Sequence, residues 1–148
     1  MAQRRCFSKK IVRSDDFLDL PATAQLLYFQ LGMEADDRGY INNARTIIKI
    51  CGSNLGDLEA LINKRFILLR EEKLLLIKGW RVNNTIQPTR LTESQYVDDL
   101  KTLFFKSRED MSYTEQNTGL PVIGGLIDTK EEDCWQVVDK LLTQYKKR

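Results

Sequence analysis

Apolar residues recur at helical spacing in the first half of the chain and then give way to short continuous runs. Ala24, Leu27, Tyr28 and Leu31 follow the i, i+3, i+4, i+7 pattern of one helix face. Pro21 suits a first turn, where a missing N–H costs nothing, so the pattern predicts a helix from Pro21 that fades near Glu34. Asp36-Asp37-Arg38-Gly39 is turn chemistry, and Tyr40-Ile41 leaves room for one small strand. Asn42-Asn43 predicts the cap of a second helix, Ala44 to about Ile50, which Gly52 ends. Ser53 or Asn54 predicts the cap of a third, about Leu55 to Arg65, with Leu55, Leu58, Leu61 and Ile62 on one face.

Two apolar quartets follow, Phe66-Ile67-Leu68-Leu69 and Leu74-Leu75-Leu76-Ile77, around the charged link Arg70-Glu71-Glu72-Lys73. Four-residue, β-compatible runs joined by a short polar link predict a hairpin. The order helix, short strand, helix, helix, hairpin is that of a winged helix, and the tight Cys51-Gly52-Ser53 link suits a helix-turn-helix. The expected fold class is therefore α+β, mostly helical: a winged helix-turn-helix with a C-terminal helical extension.

Beyond Trp80 the pattern loosens. Tyr96, Leu100, Leu103 and Phe104 predict a helix over 92–106, and the polar, then Gly- and Pro-containing 107–128 reads as a linker. Thr129 and Glu132 form a capping box ahead of the apolar stripe Trp135, Val138, Leu141, Leu142 and Tyr145. The expected organisation is a basic N-terminal arm (1–13), a winged-helix domain (14–90), a helix and linker (91–128) and a C-terminal amphipathic helix (129–148).

Composition narrows the chemistry. The chain has no histidine, and its three cysteines are far apart with no Cys-x-x-Cys, which argues against zinc sites and removes histidine-based triads and general bases. There is no Gly-x4-Gly-Lys phosphate loop. Asp57 with Glu71-x-Lys73 loosely mimics a metal nuclease, but Glu71 and Lys73 fall on the hairpin tip, where solvated charge is the ordinary content. The chain is expected to be a non-enzyme without metal or cofactor. No apolar run suffices to span a bilayer and no signal core opens the chain, so a cytoplasmic protein is expected.

Net charge is +2, but it is segregated: residues 1–13 carry +5, 14–52 carry −3, 53–84 carry +2 and the rest −2. Localised positive charge suits a polyanion. The candidate DNA contacts are Arg4, Arg5, Lys9 and Lys10 on the arm, Lys49 before the turn, and Arg70, Lys73, Lys78 and Arg81 on and behind the hairpin. These are phosphate-positioning residues. On the third helix the outward face is expected to carry Ser53, Gly56, Ala60, Asn63 and Lys64, with Asp57 and Glu59 at its flanks. Asn63 suits an adenine and Lys64 a phosphate or guanine. The small residues Gly56 and Ala60 equally suit a second protein helix, and Trp135, Val138 and Leu142 make the terminal helix a candidate docking or oligomerisation surface.

The segments "RRCFSKKIVRSDDFLDLPATAQLLYFQLGMEADDRGYINN", "LEALINKRFI" and "IKGWRVNN" resemble, in one order over about residues 4–84, the N-terminal domain of phage replisome organisers and DnaD-like replication proteins. These come from phages and prophages of low-GC Gram-positive bacteria. The resemblance implies a winged-helix domain that binds phage origin DNA or self-associates and helps load host helicase machinery, with no catalytic site. It implies double-stranded origin DNA, a helicase or helicase loader, and a further copy of the chain as partners, in the bacterial host cytoplasm. It also implies structural roles for Trp80, Gly39 and Tyr40. Ile86-Gln87-Pro88-Thr89 carries no charge where the family is often more basic, and residues 119–148 lie outside the resemblance. A protein–protein module and a phage transcriptional regulator share the same fold and stand as alternatives.

Overall fold

Helix α3 (Ala22–Glu34) buries Ala24, Leu27, Tyr28 and Leu31, the stripe its spacing predicts. These belong to a computed structural model that describes residues 4–71, 73–85 and 90–123. Two short helices precede α3: α1 (Lys9–Val12) and α2 (Asp15–Leu18), capped by the side chains of Ser8 and Ser14. After α3, Gly39 turns the chain at φ +98 into strand β1 (Tyr40–Ile41). Only glycine fits there, because an added Cβ would lie 2.7 Å from Trp80 Cγ.

Helix α4 (Ala44–Cys51) points Ile47 and Ile48 inward and ends on Gly52 in the left-handed conformation. Helix α5 (Leu55–Asn63) starts where Asn54 Oδ1 accepts from Asp57 N–H at 2.9 Å. Asn43 occupies the start of α4, but its side chain makes no capping bond, contrary to the expected cap. Strands β2 (Ile67–Leu69) and β3 (Leu75–Ile77) form the predicted hairpin, and β1 joins the other edge of β3. The sheet order is β1-β3-β2, antiparallel, with Leu76 between Tyr40 and Leu68. All of β3 is buried, and it is the central strand, paired on both edges.

Helix α6 (Trp80–Asn83) follows, then a single turn α7 (Val97–Leu100) and a second antiparallel pair, β4 (Phe104–Phe105) with β5 (Tyr113–Thr114). The predicted helix over 92–106 is thus cut short after Leu100, and the predicted linker contains β5 and the buried Val122. The cause is non-local: Phe105 N–H donates to Leu120 O, Val122 N–H to Leu103 O, and Tyr113 N–H to Lys78 O. Leu100, Leu103, Phe105, Tyr113 and Val122 join the same apolar core as the helices. The architecture is mixed α+β with small antiparallel sheets.

The basic segment at the N-terminus is not a free arm over its described residues. Asn84 Oδ1 accepts from Cys6 N–H at 2.8 Å, and Asn83 Oδ1 from Ser8 N–H at 2.7 Å. Phe7 packs edge-on to Phe29 and against Gly32, where a Cβ would meet its ring at 2.6 Å. Apolar Phe7 and Ile11 among the cations supply the anchors, and the two asparagines satisfy backbone that would otherwise face apolar surface. The expected terminal helix, with Trp135, Val138 and Leu142, lies outside the described residues, as do 86–89.

Candidate nucleic-acid interface

Helix α5 buries Leu61 and half-buries Leu58 and Ile62, which turns Gly56, Glu59, Asn63 and Lys64 outward. Three details differ from the expected face. Ala60 is half-buried against the core, Leu55 is 57% exposed, and Asp57 is buried. Ser53 Oγ donates to Asp57 Oδ2 at 2.6 Å, so this buried carboxylate is engaged just before its own helix and does not flank the outward face. Lys64 Nζ reaches Asp16 O at 3.3 Å and remains exposed, next to exposed Asn63 and Arg65.

The basic residues divide sharply. Arg4, Lys9, Lys10, Lys49 and Lys73 are exposed and meet the minimum requirement for a phosphate contact. Arg5 does not. Its side chain is 1% exposed and pairs with Asp37 at 3.0 Å. Arg70 is also committed: Nε donates to Asp99 Oδ2 at 3.0 Å and Nη1 to Glu115 Oε1 at 2.8 Å. Burial works against the Arg70 charge, but the hydrogen bond and charge of Asp99, with Glu115 behind it, outweigh this and raise its pKa. The same Asp99 accepts from Tyr40 Oη at 2.6 Å; burial and then that bond push the phenol upward. Arg5 and Arg70 are therefore structural cations, removed from the expected set because carboxylates distant in sequence claim them. Arg81 is half-buried, its guanidinium 5.9 Å from the Phe105 ring centre.

Lys78 lies at the base of the hairpin, half-buried, and its cationic neighbours come from two other segments of the chain. Burial first, then the charges of Lys106 and Arg65, lower its pKa, while Asp110 works the other way. Arg65 sits in the run Asn63-Lys64-Arg65, a signal that covered it; nothing local marks Lys106, which β4–β5 carries in.

On the other end of α5 the surface is apolar. A groove of about 500 Å³ opens between the start of α4, α5 and the hairpin, lined by Ala44, Leu55, Leu58, Ile62, Leu69 and Leu75, with Arg45 and Lys73 also at its walls. Leu69 is exposed, and so is Ile50 at the end of α4.

Among the described residues no group of His, Cys, Asp or Glu is placed to hold a metal ion, and no helix is long and apolar enough to cross a membrane. No family model, no curated protein and no solved structure matches the chain.

Proposed function

We propose that the chain is a winged-helix DNA-binding protein acting in the initiation of phage or prophage DNA replication, where it binds origin DNA and helps recruit host helicase machinery. The observation that carries the reading is topological. Strand β1 precedes, and the β2–β3 hairpin follows, two helices joined at Gly52, and the three strands pair in the order β1-β3-β2; this arrangement supports a helix-turn-helix closed by a wing. With α5 as the recognition helix, Asn63 and Lys64 offer modest base and phosphate contact. The exposed lysines of α1, with Arg4, Lys49 and Lys73, supply sequence-independent grip. The resemblance of residues 4–84 to replisome organisers adds the replication role. Anisotropy of labelled duplex DNA across a salt series tests it: affinity at low salt that falls steeply as salt rises is expected. Absence of binding at low salt defeats it.

A second reading rests on the apolar groove. Leu55, Leu69 and Ile50 expose hydrophobic surface around α5, as a docking face for another copy or a helicase loader would. Under this reading, Leu55→Arg turns an oligomer into a monomer in sedimentation while leaving DNA affinity intact.

A further inference from the structure

Three segments that are far apart in sequence come together at the base of the hairpin, and each carries a cation. Arg65 follows α5, Lys78 follows β3, and Lys106 follows β4. Backbone hydrogen bonds lace their segments together: Lys78 N–H donates to Phe66 O at 3.2 Å, Tyr113 N–H to Lys78 O at 2.8 Å, and Lys106 N–H to Ser112 O at 2.9 Å. The cations are thus carried on fixed backbone and not on a mobile tail.

Their charge is poorly offset. Neither Arg65 nor Lys78 has an ion pair among the described residues, in contrast to Arg5, Arg38 and Arg70. The nearby carboxylate, Asp110, is shared among Ser112 Oγ at 2.6 Å, Ser112 N–H at 3.1 Å and Lys106 Nζ at 3.6 Å. Like charges held together in this way repel, and an anion seated among them relieves the repulsion. The negative end of α5 does not oppose this strongly, because Arg65 and Phe66 N–H already occupy the carbonyls of Ile62 and Leu61.

The backbone adds a second observation. Arg65 is the one non-glycine residue with positive φ among the described residues, at +65. Here it ends α5 as a left-handed C-cap, a position glycine usually fills and a long side chain disfavours. A glycine would suit the turn better, yet the position carries a guanidinium.

We propose that Arg65, Lys78 and Lys106 form a preorganised seat for the phosphodiester backbone of duplex DNA, at the base of the hairpin. This deepens the DNA-binding reading and rests on it. The seat grips backbone and not bases: no aromatic side chain among the described residues is exposed for base stacking, and Phe66, Phe105 and Tyr113 nearby face the core. Exposed Lys64 lies next to it at the end of α5, and α1, with Lys9 and Lys10, abuts Gly79 through Ile11. The phosphate contact thereby extends from exposed Lys73 on the hairpin link to the hairpin base, while Arg70 is committed to carboxylates.

The test is duplex-DNA anisotropy across a salt series for the full chain, the Arg65→Gly/Lys106→Gln pair, the same pair with Lys78→Gln, and Lys101→Gln as a control. Arg65→Gly places glycine where the backbone favours it, so the pair is expected to stay folded, and a thermal melt checks this. Each phosphate contact accounts for about 0.9 in the slope of log affinity against log salt. The pair is expected to lose about 2 units of slope, the triple variant about 3, and Lys101→Gln none. A folded pair with wild-type slope and affinity overturns the seat while the DNA reading stands. Wild-type protein that binds no duplex at low salt overturns both.

Discussion

The guanidinium of Arg5 lies 3.0 Å from the carboxylate of Asp37, with the two side chains 1% and 0% exposed. Arg5 Nη2 also donates to Ala35 O at 2.8 Å, and its guanidinium carbon is 5.1 Å from the Trp80 ring centre. Asp37 in turn accepts from Thr92 N–H at 2.9 Å, and Trp80 Nε1 donates to Asp37 O at 2.9 Å. One buried ion pair therefore joins the N-terminal segment, the turn before β1, α6 and the chain beyond residue 90. Arg5 Nε and Nη1 are buried with no hydrogen-bond partner among the described residues, so the pair is held at a desolvation cost. Removing one partner leaves the other charge buried. Arg5→Ala is expected to cost about 3–5 kcal/mol in denaturant unfolding, and a loss below about 1 kcal/mol would contradict this role. Under conditions where the variant is folded, its DNA affinity should match wild type.

Arg70 makes a related prediction at the hairpin. It ties the link between β2 and β3 to Asp99, Thr102 and Glu115. Arg70→Ala should lower stability by about 1–3 kcal/mol, the scale of lost charge-assisted hydrogen bonds in a half-buried site. Because Tyr40 shares Asp99 with Arg70, Arg70→Ala and Tyr40→Phe should be non-additive in a double-mutant cycle. Strict additivity would mean the two bonds are independent.

Backbone handedness gives opposite expectations at two positions. Gly39→Ala places a Cβ 2.7 Å from the Trp80 ring at φ +98. Strain of about 1–2 kcal/mol adds to overpacking of about 1–3 kcal/mol, so a marked fall in melting temperature is expected. Arg65→Gly relieves φ +65 at an exposed site and should stabilise by up to about 1 kcal/mol. A stabilised protein with weakened DNA binding is the signature of a residue kept for function.

Alkaline pH should unfold the protein through its buried phenols. Burial raises Tyr28 to about 12 from 10.0, although its bond from Asn83 acts the other way, and Tyr40 also moves upward. A folded pKa above the unfolded value contributes stability that is fully present below about 10. That contribution is lost as pH rises through the window from 10.0 to about 12 for Tyr28. Melting temperature should fall across this window, and Tyr28→Phe should flatten the Tyr28 part of the fall. A profile unchanged by that substitution would mean the phenol is not what titrates.

The sequence by itself determined the elements whose signals are local. The stripe Ala24, Leu27, Tyr28 and Leu31, the stop at Gly52, the cap at Asn54 and the quartets on either side of the Arg70–Lys73 link all appear where they are predicted. Helical periodicity, caps and turns are written within a few neighbouring residues, so they survive the lack of any tertiary information. Only the tertiary structure decided what each charge does. Arg5 and Arg70 look like Lys9 and Lys73 in the sequence, yet the first two meet carboxylates 32 and 29 residues away and the others face solvent. Asp57 turned inward to Ser53, Phe104 and Phe105 became a strand because Tyr113 and Thr114 came to pair with them, and Lys106 arrived beside Lys78 on that same pair. Coulomb and hydrogen-bond energies depend on distance in space, and the chain reveals those distances only after it has folded.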